Sequence, residues 1–160
     1  MFILYQFLLT LLLILSPLII CFRVLKKKED KKRFKEKFCL PSKKRTTGNL
    51  IWFHCSSVGE LLSILSLVKK IEKNKSINQI LITTSTLSSA QIFKNFNFKK
   101  TIHQFFPIDS IFFSYKFLNY WRPTIAIFVE SEIWPCIFKV LREKNIPLKL
   151  LNARITKKTF

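Results

Sequence analysis

The chain has 160 residues and carries nine acidic side chains against 28 lysines and arginines, so the position of each acid is informative. Three of the nine fall in two short clusters that begin where apolar runs end. The first, His54-Cys55-Ser56-Ser57-Val58-Gly59-Glu60, follows "NLIWF" directly. Ser56 or Ser57 is placed to cap a helix there, and an acid in a first helical turn gains about 0.3–1 kcal/mol from the helix dipole. The same spacing permits chemistry. An ionised glutamate can accept a proton at neutral pH, and Gly59 and Ser57 beside it would let a substrate approach the backbone and bind. Cap and general base are both open readings of Glu60.

The second cluster is Glu130-Ser131-Glu132-Ile133-Trp134-Pro135. Two acids two residues apart point to the same side if a strand continues through them, and like charges so close repel unless a cation or hydrogen bonds intervene. Arg154, in "NARITKKTF", is a candidate partner for those acids or for a phosphate. Between the clusters, "TTSTLSS" (Thr83 to Ser89) offers hydroxyls for binding, Thr84 among them, but lacks the glycine of a phosphate loop. His54 and His103 stand apart and read as packed side chains. Cys21, Cys39, Cys55 and Cys136 form no CxxC pair and have no zinc spacing, so they read as reduced thiols and no metal site is expected.

The elements that would position these groups follow from hydropathy. Apolar runs occupy 50–54, 79–84, 101–106, 124–130 and 147–153. Between the first two, Leu61, Leu62, Leu65, Val68 and Ile71 recur at three- and four-residue steps, as on one face of a helix. "SSAQIFKNF", "FFSYKFLNYW" and "WPCIFKVLREKN" fill the later gaps, with Pro135 suited to a first helical turn. Parallel strands need crossovers, so the alternation predicts an α/β fold, a Rossmann-like parallel sheet flanked by helices over 49–160. Ligands of such sheets lie beyond the carboxyl ends of the strands, where the clusters fall.

Residues 2–22 carry no charge and reach roughly 30 Å as a helix, enough for one membrane crossing. We therefore expect an N-terminal membrane-anchor helix over 1–25. A basic juxtamembrane collar follows over 26–48; between Arg23 and Arg45 twelve basic residues face only Glu29, Asp30 and Glu36. Positive flanks stay cytoplasmic, and each draws anionic membrane lipid with about 1 kcal/mol near the surface. The formal charge of +19 also suits nucleic acid, but a collar beside a hydrophobic span favours the membrane, and no nucleic-acid partner is expected.

Together, "HCSSVGE", "TTSTLSS", "HQFFPID", "RPTIAIFVESEIWP" and "IPLKLLNARITKKTF", in this order after a hydrophobic segment with a basic flank, resemble the Kdo transferase family. These enzymes add Kdo, a 3-deoxy octulosonic acid, to a lipid A precursor. The resemblance implies the N-terminal, acceptor-binding half of a two-domain glycosyltransferase-B fold at the cell inner membrane, with its catalytic face cytoplasmic. It makes Glu60 the proton acceptor and Glu130 the transition-state stabiliser, with Glu132 supporting. CMP-Kdo would be the donor, held by a C-terminal domain expected beyond this chain, and no cofactor would be needed. A non-catalytic acceptor-binding remnant or scaffold of the same fold is the alternative. The sequence departs from the family pattern at Leu87-Ser88-Ser89, at Ile108 and at Cys136.

Overall fold

Strand β1 (Leu50–Cys55) has no polar side. In the computed structural model, which describes residues 22, 23, 26, 29–130 and 133–152, Trp52 enters one apolar cluster and Phe53 another. Neither is exposed to solvent. Successive side chains of a strand face opposite ways, so a strand buried like this must lie between two layers. Those layers are four helices. α1 (Val58–Glu72) and α2 (Leu87–Phe93) cover the side of Phe53, Ile80 and Ile82; α3 (Ile111–Trp121) and α4 (Pro135–Glu143) cover the side of Trp52, Leu81 and Phe128.

β1 is joined in the sheet by β2 (Gln79–Thr84), β3 (Thr101–Phe105), β4 (Ile125–Val129) and β5 (Leu148–Leu151). Every neighbouring pair is parallel, in the order β3-β2-β1-β4-β5. This is the expected α/β sheet, with ends that differ from the apolar runs by a residue or two. Pro147 supplies a carbonyl to Ala126 but has no N–H to give, so β5 starts one residue later. The chain begins in the middle of the sheet, runs outward to β3, then returns to the far side of β1. That reversal falls between β1 and β4, and sheets of this order hold ligands in the crevice outside the carboxyl ends of the two strands at the reversal.

β3 is an edge strand, and its outward backbone groups are met by charged side chains. Glu72 Oε1 accepts from Thr101 N at 2.9 Å. Arg33 Nη2 donates to the His103 carbonyl at 3.0 Å, and Glu36 Oε2 accepts from Phe105 N at 2.7 Å. An open edge would otherwise invite another strand. Glu36 lies on a 3₁₀ helix (Phe34–Phe38) and is only 3% exposed. It also pairs with Arg33 Nε at 2.7 Å and accepts from the Ser42 hydroxyl. Part of the basic stretch is thus fastened to the sheet.

The expected anchor helix lies outside the described residues except for Phe22 and Arg23. Among the described residues no helix is long and apolar enough to cross a membrane. Gly48 shows why one of the two glycines is needed. Its φ is +93°, and an added Cβ would stand 2.2 Å from Asn78 Oδ1.

Candidate active site

β1 ends at Cys55 and the chain turns through two serines into α1. Ser57 adopts the extended backbone of an N-cap, and its Oγ accepts from Glu60 N at 3.2 Å. Glu60 answers by reaching back. Its Oε2 accepts from Ser56 N at 2.8 Å, a capping box displaced by one residue. The carboxyl group is 6% exposed. Among the described residues its second oxygen, Oε1, has no hydrogen-bond partner. Glu60 is therefore both a cap and a carboxylate with one oxygen to spare.

Gly59, the second of the two glycines, sits in the first turn of α1 and is exposed. An added Cβ there would meet only Ser57 Oγ, at 3.9 Å. Nothing within the described fold requires a glycine at this position. It leaves the backbone open where a ligand would approach Glu60.

β4 stops at Val129. Glu130 then takes a left-handed φ of +60° and is exposed, while its N–H still reaches the Leu151 carbonyl at 2.7 Å. For a residue with a Cβ that conformation costs about 1–2 kcal/mol, and such strain gathers at functional sites. The pairing His54↔Phe128 places Glu130, two residues on, level with Ser56, whose N–H holds Glu60. Both acids therefore follow the carboxyl ends of neighbouring strands, β1 and β4. The premise that the strand continues through Glu130 to Glu132 does not hold, because the chain turns at Glu130. Glu132 and Arg154 lie outside the described residues.

Thr84 is fully buried at the end of β2. Its hydroxyl meets His103 Nε2 at 2.8 Å and the Thr86 carbonyl at 3.5 Å, so it is turned inward. Thr86 and Ser89 likewise spend their hydroxyls capping α2.

Asp109 has a part that sequence reasoning missed. α4 begins with Trp134 at its N-cap and Pro135, neither of which offers a capping side chain. Asp109, 2% exposed in the loop after β3, accepts from Cys136 N at 3.1 Å and Ile137 N at 2.9 Å. It caps α4 from another loop. The signal was a helix opening on Trp-Pro with no acceptor of its own. Asp109→Ala should destabilise the fold by about 2–3 kcal/mol through two N–H groups left without their charged acceptor, measurable by urea denaturation.

Both histidines are packed, as expected. His54 has no exposure and stacks on Phe106 with ring centroids 3.9 Å apart. His103 Nδ1 accepts from Arg33 Nη2 at 2.8 Å. Burial pushes both imidazoles down to about 3, with the Arg33 and Lys94 charges adding to it at His103. Unfolded histidines take up protons from about pH 6.5 downward. The stability from these depressed groups is thus fully present above that pH and is lost as pH falls toward 3. Unfolding free energy should be about 2–3 kcal/mol lower at pH 5.5 than at pH 7; equal values at the two pH settings would contradict the buried neutral state.

Burial pushes the Cys39 thiol up to about 12 and Cys136 up to about 11, while Cys55 rises further through burial and the nearby Glu60 charge. Protonated, enclosed thiols are poor nucleophiles. Among the described residues no group of three or more His, Cys, Asp or Glu side chains converges as metal ligands.

A family model described as 3-deoxy-D-manno-octulosonic-acid transferase (kdotransferase) matches residues 32–160. The chain is 42% identical over 158 residues to a 3-deoxy-D-manno-octulosonic acid transferase of Rickettsia bellii, covering 98% of this chain and 37% of that protein. A probable mitochondrial 3-deoxy-D-manno-octulosonic acid transferase of Arabidopsis thaliana is 38% identical, over 91% of this chain and 33% of its own length. The transferase of that name from Haemophilus influenzae is 30% identical, over 92% and 35%. The chain spans about a third of the length of these curated relatives.

Proposed function

Since this chain belongs to the 3-deoxy-D-manno-octulosonic-acid (Kdo) transferase family, we propose that it forms the acceptor-side half of an enzyme that moves Kdo from CMP-Kdo to a lipid A precursor. The step would serve lipopolysaccharide biosynthesis at the cytoplasmic face of the cell inner membrane. The observation that supports this reading is that Glu60 and Glu130 both follow the carboxyl ends of the adjacent strands β1 and β4, where sheets of this order hold ligands.

In the proposed step an acceptor sugar hydroxyl gives its proton to Glu60. The hydroxyl oxygen bonds to the anomeric carbon of Kdo, and the bond to CMP breaks with inversion, its electron pair leaving on CMP. Glu130 would stabilise the positive charge of an oxocarbenium-like transition state, with Glu132 in support. Ser57 and Gly59 would frame the acceptor, and Arg154 would bind its phosphate. Thr84, with its hydroxyl turned inward, would serve its loop. We assign no metal or organic cofactor to the step, and the donor would sit on a second domain.

A lipid-borne acceptor suits the exposed apolar side chains at the end of the sheet that holds the acids. Phe112 and Ile133 are 69% and 70% exposed and lie where α3 and α4 begin, on one layer, while Leu62, 48% exposed, lies in α1 on the other. The proposed membrane anchor would leave from the same region. Arg23 and Lys37 both pair with Glu29, and the Lys37 carbonyl accepts from Ile108 N just beyond β3.

Gly59→Ala tests the open approach. Alanine should raise helix stability by about 0.5–1 kcal/mol yet lower transfer about 10–100-fold by displacing the acceptor. A thermal melt and a transfer assay with CMP-Kdo and lipid A precursor, on the full protein, read both; unchanged transfer contradicts the assignment. The bonds of Glu60 with Ser56 and Ser57 favour a second reading, a non-catalytic acceptor-binding module of the same fold. That reading predicts acceptor binding with no transfer in the same assay.

A further inference from the structure

We propose that His54 is a positioning residue for Glu60, acting as a neutral hydrogen-bond anchor beneath the crevice. This rests on the reading of Glu60 as the base. Thr83 Oγ1 donates to the Phe53 carbonyl at 3.3 Å and accepts from Trp52 Nε1 at 2.9 Å. We assign that one proton to the Phe53 carbonyl, which makes the imidazole the donor in the 3.0 Å contact between His54 Nδ1 and Thr83 Oγ1. In that tautomer Nε2 is the bare nitrogen, and it faces Ser56 Oγ at 3.4 Å. Ser56 in turn holds Glu60 Oε2 through its backbone N–H at 2.8 Å. The relay runs from a fully buried ring, through one serine, to the carboxylate.

The same ring underlies the other acid's loop. His54 stacks on Phe106 and meets Trp134 edge-on at 5.9 Å, while Phe106 and Trp134 lie 4.9 Å apart. Trp134 begins α4, the helix that Asp109 caps and that follows the Glu130 turn. One side chain thus touches the serine that fixes Glu60 and the indole that carries the chain away from Glu130. Only the uncharged imidazole can serve there, since a second proton would remove the acceptor that Ser56 needs and charge a ring buried against aromatics.

Two variants separate positioning from packing. His54→Phe keeps the ring on Phe106 and leaves Thr83 satisfied, but gives Ser56 Oγ no acceptor. His54→Gln restores an acceptor while losing the ring. In the full protein, kcat should fall about tenfold or more in His54→Phe with KM within threefold. His54→Gln should recover most of kcat although it melts at a lower temperature than His54→Phe. The Ser56 amide proton, followed by NMR on the full chain in detergent, should move upfield in His54→Phe and return in His54→Gln. Activity that follows melting temperature, with His54→Phe above His54→Gln, or a Ser56 amide unmoved in both, overturns the proposal. If the wild-type protein transfers no Kdo, the reading of Glu60 as a base falls, and the amide resonance alone decides whether His54 positions Ser56.

Discussion

Glu60→Gln should reduce Kdo transfer by about 10²–10⁴-fold, the range expected when a general base is lost, while unfolding free energy drops by less than about 1 kcal/mol. The two effects separate because the side chain does two jobs with different atoms. The glutamine carbonyl can still accept from Ser56 N, and Glu60 N still donates to Ser57 Oγ, so the start of α1 survives. What disappears is the capacity to take a proton. Glu60→Ala removes both jobs and should add about 1 kcal/mol of instability to the same loss of rate. Rates from the transfer assay, set beside urea denaturation of each variant, check this. If Glu60→Gln kept transfer within threefold of wild type, Glu60 would be a cap only.

Glu36→Ala carries the largest expected effect on stability, about 3–5 kcal/mol, as for breaking a buried ion pair by removing one partner. The change leaves the Arg33 guanidinium, the Ser42 hydroxyl and the Phe105 N–H without their shared carboxylate. It also uncovers part of the β3 edge, so the variant should self-associate as its concentration rises. Sedimentation and urea denaturation read these consequences. Glu143→Ala is the comparison. That acid pairs with Lys139 at 3.9 Å and with the Tyr115 hydroxyl at the surface, and its loss should change stability by less than about 1 kcal/mol. Equal losses in the two variants would mean that the strap over β3 contributes little.

The sheet was legible because its strands are buried on both faces and therefore appear as unbroken apolar runs, as in "TIAIFV". Ser57 and Glu60 were legible because a capping residue and its acid are only three positions apart. Asp109, Glu36 and Arg33 were not. Each meets backbone groups far away in sequence: Asp109 those of Cys136 and Ile137, Glu36 that of Phe105, and Arg33 that of His103. Hydropathy carries no record of such long-range partners. The basic stretch read only as a juxtamembrane collar for the same reason, although Arg33 and Glu36 within it close the edge of the sheet. The turn at Glu130 was hidden differently. A glutamate in the left-handed region gives no local cue, whereas the glycine at Gly48 marks its positive φ by type. His54 looked like a core residue and is one; its link to Glu60 depends on a serine hydroxyl whose direction only the fold sets.

A structure of the protein with a lipid A precursor bound bears most directly on the role of the crevice. The reactive sugar hydroxyl should lie beyond the carboxyl ends of β1 and β4, within about 3 Å of Glu60 Oε1, with the acceptor's acyl chains over Phe112 and Ile133. An acceptor seated at the opposite end of the strands, or a hydroxyl separated from Glu60 by other protein groups, would contradict it.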